Sequence, residues 1–223
     1  FLAGRDVKRY EPLASDKWVI FTRHGINIKD YPAIEKHLLQ FKKRLMPRPE
    51  HIPADQWEGR KPGKYKWYEI QDSIDYYAEF ERPKIIFPDI ATSGQFTIDR
   101  EGKFYGANTL YILCSTDLFL LGVLNSKVIS FLLERISTAI RGGFLRWIFQ
   151  NVIRLSIPNL LNDSNLRELV DEIIKVKSFL LYGNTHDKPL LQQKADLLDR
   201  RIDAAVYRLF GLTEEEVRVV EGG

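Results

Sequence analysis

Between Arg135 and Asn162 the chain has no acidic residue at all, yet it places four arginines there: Arg135, Arg141, Arg146 and Arg154. In a 223-residue protein with a formal net charge of only +3, such a stretch predicts a surface that meets something negative, and phosphate is the commonest partner of that kind. The competing reading is a solvated helix end with ordinary surface arginines. Cysteine is nearly missing too. Cys114 stands alone, which excludes an internal disulfide and a cysteine-rich zinc site, fits a reducing, cytoplasmic setting, and is expected to be a small core residue. Long apolar runs are also lacking: the longest, Leu118 to Leu133, is interrupted by Asn125, Ser126 and Lys127 and is too polar to span a bilayer, so no membrane partner is expected. No secretory segment opens the chain, and its start at Phe1 without Met leads us to expect a piece of a longer protein.

Catalytic patterns are equally scarce. The histidines (His24, His37, His51 and His186) sit at spacings that no metal site uses. No Gly-rich phosphate loop follows a strand and no nucleophile elbow is present, so no catalytic, cofactor or metal residue is read from this chain. There is no fixed-period repeat and no low-complexity tract.

What is there suits a folded protein: 44% hydrophobic and 28% charged residues are ordinary values, and the length allows a substantial core. The charge is unevenly spread. Residues 1–158 carry 24 Lys and Arg against 18 Asp and Glu, whereas residues 159–223 carry 9 against 12. GRDVKRY (4–10) reads as a turn-like lead-in and KWVIFT (17–22) as a strand. Asp30 as cap and Pro32 in the first turn start a helix whose Ile34, Leu38, Phe41 and Leu45 share one face, with Pro47 and Pro49 ending it. Residues 47–64 form a long loop. PKIIFPDI (83–90), QFTID (95–99) and NTLYILCS (108–115) read as strands, with a tight turn at Asp99-Arg100-Glu101-Gly102, and a helix over 118–140 is capped by Thr116 or Asp117. VIRLSI (152–157) alternates like a strand with one wet face.

Two helices follow. One spans 164–182, with Leu166, Leu169, Val170, Ile173 and Ile174 on a single face, and closes at Tyr182-Gly183-Asn184. The next carries a heptad seam of Leu191, Ala195, Leu198, Ile202, Ala205 and Leu209, suited to an antiparallel hairpin or, over 191–209, to self-association. Gly211 stops it, and Thr213 with Glu216 makes a capping box for a last short helix. The expected fold class is α+β: a mixed, twisted sheet with flanking helices in residues 1–160, and a helical extension in 161–223.

Two clusters are candidates for DNA contact. Arg60, Lys61, Lys64 and Lys66 fall within seven residues, interleaved with Tyr65, Trp67 and Tyr68; the aromatics read more naturally as buried strand residues than as base-stacking ones. Arg141, Gly142, Gly143 and Arg146 form the second cluster, in which the glycines would let the backbone approach DNA closely. An alternative is a Mg-dependent nuclease. Pro88-Asp89 followed by Glu101-Gly102-Lys103 copies the letters of a PD-(D/E)xK motif, whose Glu and Lys must project from one strand face; Gly102 in a turn loses that alignment. A third reading is a protein-interaction module acting through the helical tail.

GRDVKRY (4–10), YPAIEKHLLQFKKRL (31–45), WYEI (67–70), ERPKIIFPDI (81–90), FTID (96–99), LGVLNSKVISFLL (121–133), GGFLRW…IP (142–158) and RIDAAVYRLFGLT (201–213) resemble, in this order, the C-terminal specificity domain of TaqI-like and Eco57I-like adenine-specific DNA methyltransferases, a domain shared with type IIG restriction-modification enzymes. The resemblance covers nearly the whole chain. It implies a target recognition domain for double-stranded DNA, partnered by an N-terminal methyltransferase lobe that binds S-adenosylmethionine and flips adenine into an Asn-Pro-Pro-Tyr pocket. That tetrapeptide is absent here, so the resemblance implies a fragment silent in catalysis and without its own cofactor.

Overall fold

The computed structural model describes residues 1–137, 142–158, 164–183 and 185–222, and these divide into two compact units: Trp18–Ala78, and Phe1–Lys17 with Glu79–Gly223. Its helices and small sheets make an α+β fold.

The inserted unit, Trp18–Ala78, is mostly loop. Its helices are α1 (Pro32–Leu39), with Pro32 in the first turn as expected, and α2 (Lys42–Leu45). Tyr31, not Asp30, occupies the cap of α1, and the expected continuous helix breaks at Gln40-Phe41, so the face containing Ile34 and Leu38 is never buried. KWVIFT forms no strand: its β-branched residues find no partner chain, and Trp18 is 96% exposed. Ile28 and Tyr65 are the only buried hydrophobic side chains described in this unit. So thin an apolar core leaves most of the ordering to polar groups.

In the larger unit, β1 (Lys84–Pro88) lies between β3 (Thr97–Asp99) and β4 (Leu110–Leu113), antiparallel to both, while β2 (Ile90–Ala91) pairs antiparallel with β5 (Leu145–Arg146). Among the described residues of this unit, parallel pairing is limited to the Leu2–Gly106 bridge. All five residues of β1 are buried, as suits a central strand covered on both faces. The expected helix over 118–140 is two helices, α3 (Leu118–Asn125) and α4 (Lys127–Ile136). Asp117 caps the first, and Ser126 breaks the run by capping the second through the Ile129 N–H. VIRLSI is not a strand. Its start lies in α5 (Phe149–Val152), and Ile153 and Ile157 are exposed.

Helices α6 (Ser164–Tyr182) and α7 (Lys188–Leu209) form the expected antiparallel hairpin, and α8 (Glu214–Val220) has the expected Thr213–Glu216 capping box. Ala195, Leu198, Ile202 and Ala205 are buried in the same core as β1, α3 and α6. The heptad seam read as a self-association surface is thus occupied within the chain. Among the described residues no helix is long and apolar enough to cross a membrane.

Of the segments that carry the family resemblance, those in the larger unit meet in this core, whereas YPAIEKHLLQFKKRL and WYEI belong to the inserted unit. The Asn125 side chain of LNSK donates from Nδ2 to Phe96 O and accepts from Phe96 N, both at 2.9 Å. Lys127 N donates to the carboxylate of Asp203, from RIDAAVY, at 2.9 Å, and Arg9, from GRDVKRY, pairs with Asp199 at 2.6 Å. These motifs are therefore joints of the scaffold. Cys114 is exposed rather than in the core, and its thiol donates to Glu79 at 3.3 Å.

Candidate nucleic-acid interface

The two basic clusters lie in different units, Arg60 to Lys66 in the inserted one and Gly142 to Arg146 in the larger; Arg141 lies outside the described residues. In the first cluster, equal charges have unequal freedom. The Arg60 guanidinium donates to Leu45 O (2.8 Å), Glu69 O (2.7 Å) and Trp67 O (2.9 Å), and stacks 4.5 Å from the Tyr65 ring centre. Its backbone N–H donates to Met46 O at 2.9 Å and its carbonyl accepts from Arg48 N at 3.0 Å. Burial pushes its pKa down, partly offset by Tyr65. Arg60 is a clamp that closes the loop, and its donors are committed to backbone carbonyls.

Glu69 completes the clamp. Its buried carboxylate accepts from Gly25 N at 2.9 Å and Lys66 N at 2.8 Å. Burial acts to raise its pKa, but these N–H groups, with the charges of Lys66 and His24, outweigh burial and hold it below its ordinary value. Lys61, Lys64 and Lys66 stay exposed. Lys61 pairs with Asp72 at 2.6 Å, a solvent-facing pair that holds a lysine only weakly, and Lys66, itself exposed, sits 3.9 Å from the buried Glu69 carboxylate; Lys64 has no ion pair among the described residues. Trp67 and Tyr68 are half-buried in a turn, not in a strand, and Tyr65 is the aromatic residue that is buried.

In the second cluster, Gly142 and Gly143 have φ of 89° and 76°, a left-handed turn that side-chain-bearing residues disfavour. Space is not the reason for glycine here, because a Cβ on Gly143 would meet nothing within 4 Å. The turn leads into β5, where Arg146 N donates to Ser137 Oγ at 2.9 Å and Arg146 O accepts from Asn151 Nδ2 at 2.8 Å. The backbone of Arg146 is fixed while its guanidinium has no ion-pair partner among the described residues.

The nuclease alternative is not supported. Glu101 and Lys103 pair with each other on an exposed turn beside Ile174, whereas Asp89 lines a separate groove. Among the described residues no group of three or more His, Cys, Asp or Glu could hold a metal ion. That separate groove, about 590 Å³ in volume, also carries Arg5, Lys8, Gln95 and Asn108, which no local pattern in the sequence singles out. They come from three distant segments and share only a position in space.

The curated relatives include the type II methyltransferase M.XhoI of Xanthomonas vasicola, 27% identical over 206 residues that cover 87% of this chain and 31% of that protein. M.PaeR7I of Pseudomonas aeruginosa is 29% identical over 175 residues (73% of this chain, 29% of that protein), and M.BanIII of Aneurinibacillus aneurinilyticus is 29% identical over 206 residues (87% and 32%). The chain spans about three-tenths of the length of the curated relatives it matches. The family model for the TaqI-like C-terminal specificity domain matches residues 1–157, most of the chain, and on that ground the chain belongs to the TaqI-like C-terminal specificity domain family.

Proposed function

We propose that this chain is the DNA-recognition part of a type II DNA methyltransferase, adenine-specific and with its catalytic lobe outside these 223 residues. The observation that carries this reading is the specificity-domain match over residues 1–157, with similarity to methyltransferases about three times longer than this chain. In this reading residues 1–160 face double-stranded DNA, and residues 161–223, with their negative balance, are a helical extension that packs against protein. Transfer of the methyl group from S-adenosylmethionine belongs to the other lobe, since this chain has no Asn-Pro-Pro-Tyr to receive a flipped adenine. The chain itself then contributes grip and selection, with no chemical step of its own.

Phosphate contact falls to Lys61, Lys64 and Lys66 on the loop and to Arg141 and Arg146 beside Gly142-Gly143, whereas Arg60 holds the loop in shape. The test is binding of the 223-residue chain to mixed-sequence duplex DNA across a potassium chloride series, beside a variant with those five cations changed to Ala. Affinity should fall steeply with salt, and the variant should bind more weakly with a shallower slope, by about one unit for each phosphate it no longer neutralises. A folded wild-type chain that binds no duplex even at low salt would refute the reading.

A further inference from the structure

We infer that the groove lined by Arg5, Lys8, Asp89, Gln95, Asn108 and Phe144 is where the larger unit reads base edges of duplex DNA, and that Gln95 and Asn108 determine specificity. The inference rests on the DNA-recognition reading above and assigns the reading role to residues outside both basic clusters.

The groove is rigidly built. Gly4 N donates to Thr109 Oγ1 at 3.0 Å, and a Cβ on Gly4 would lie 2.8 Å from Thr109 O, so only glycine lets the turn carrying Arg5 lie this close to the 106–109 loop. Leu2 N donates to Tyr105 O and Ala107 N to Leu2 O, both at 2.8 Å. Asp89 N donates to Thr109 O at 3.0 Å and Asp89 O accepts from Trp147 N at 2.8 Å, tying the loop to β1 and to the segment after β5. Such a frame fixes where the backbone beneath Arg5, Asp89 and Asn108 lies, so little backbone ordering is left to binding, a condition for discriminating one base from another.

Its chemistry matches base edges. The amides of Gln95 and Asn108 make no hydrogen bond with another described residue, and each offers a donor beside an acceptor, the pair that fits adenine N6 and N7 in the major groove. The Asp89 carboxylate likewise makes no hydrogen bond or ion pair with another described residue and can accept from a cytosine or adenine amino group. Phe144, 42% exposed at the rim, is an apolar surface for a thymine methyl. Arg5, whose side chain is 78% exposed, and Lys8 supply positive charge for the flanking phosphates. The groove is also joined to the arginine-glycine cluster, because Ile90 in its wall pairs with Arg146 across β2 and β5.

The experiment is selection from a duplex library with a randomised central block, using the 223-residue chain and its Gln95→Ala, Asn108→Ala and Arg5→Ala/Lys8→Ala variants, each checked for native circular dichroism. The amide variants should keep total DNA binding and the salt slope while discrimination at one or two base positions falls roughly 5- to 150-fold. The Arg5/Lys8 variant should weaken binding to all sequences alike and reduce the slope by about two. Enrichment of the same sequence with undiminished discrimination by both amide variants overturns the assignment. So does a wild type that binds duplex without selecting any sequence, a result that leaves the DNA-binding reading standing. A folded wild type that captures no duplex removes that reading, and the groove assignment with it, before any variant is compared.

Discussion

The side-chain amide of Asn125 holds the backbone of Phe96 by both its N–H and its carbonyl, at 2.9 Å each, inside the core. One side chain on α3 thereby takes the place of a neighbouring strand at the start of β3. Asn125→Ala strands buried backbone groups, only the carbonyl keeping another partner in Tyr10 N at 3.1 Å. The expected loss is about 2–4 kcal/mol of stability, read by urea denaturation. Asn125→Asp should be at least as damaging, because a carboxylate has no donor for Phe96 O.

Lys84 and Asp99 form a fully buried ion pair at 2.5 Å. Lys84 Nζ also donates to Phe80 O at 2.6 Å, and Asp99 accepts from Lys103 N at 3.2 Å and Phe104 N at 3.0 Å. Removing one partner leaves a buried charge alone, so Asp99→Ala should cost about 3–5 kcal/mol. Lys84→Met combined with Asp99→Leu should recover part of that loss in the same assay, since neither charge then remains in the core; the turn amides at Lys103 and Phe104 stay without their acceptor.

Arg60 and Lys64 separate structure from binding within one cluster. Arg60→Ala should lower the protection of amides 45–69 in hydrogen exchange, because the carbonyls of Leu45, Lys66, Trp67 and Glu69 lose a donor. Arg60→Lys should behave nearly as Ala does, since one ammonium cannot span those positions. Lys64→Ala should leave exchange unchanged and weaken duplex binding modestly at low salt.

Glu69 makes the inserted unit sensitive to acid. Its pKa is lowered on folding from an ordinary 4.5, so the unfolded chain binds the proton more readily. The stabilisation is fully present above pH 4.5 and is lost as pH falls through the folded value. Fluorescence of Trp57 and Trp67 should report this loss in an acid titration. Glu69→Gln should flatten the response at the expense of stability near neutral pH.

Local patterns disclosed the parts of the fold that depend on neighbours in sequence. The apolar faces of α6 and α7 and the Thr213–Glu216 box are read from spacings of three and four, and the structure contains each of them; of the two caps offered by residue type, Thr116 and Asp117, it is Asp117 that caps α3. KWVIFT misled by its β-branched and aromatic composition and VIRLSI by its alternation, because either produces a strand only where a partner strand is available, and none lies beside them among the described residues. The apolar run is visibly interrupted at Asn125, Ser126 and Lys127, but no local pattern shows that the interruption ends one helix and that Ser126, wholly buried, caps the next.

The sequence by itself determined the helices of the C-terminal hairpin and their faces, the acid-free arginine window and membership of a specificity-domain family, since each resides in residue order and local spacing. Only the tertiary structure decided which cations are free and which are spent internally. Arg60 and Lys64 read alike in the chain, but carbonyls brought up from Leu45, Trp67 and Glu69 engage one and leave the other in solvent. The groove of Arg5, Asp89, Gln95 and Asn108 is of the same kind. Its members are far apart in sequence, and packing against β1 and the 106–109 loop, which no local pattern encodes, brings them together.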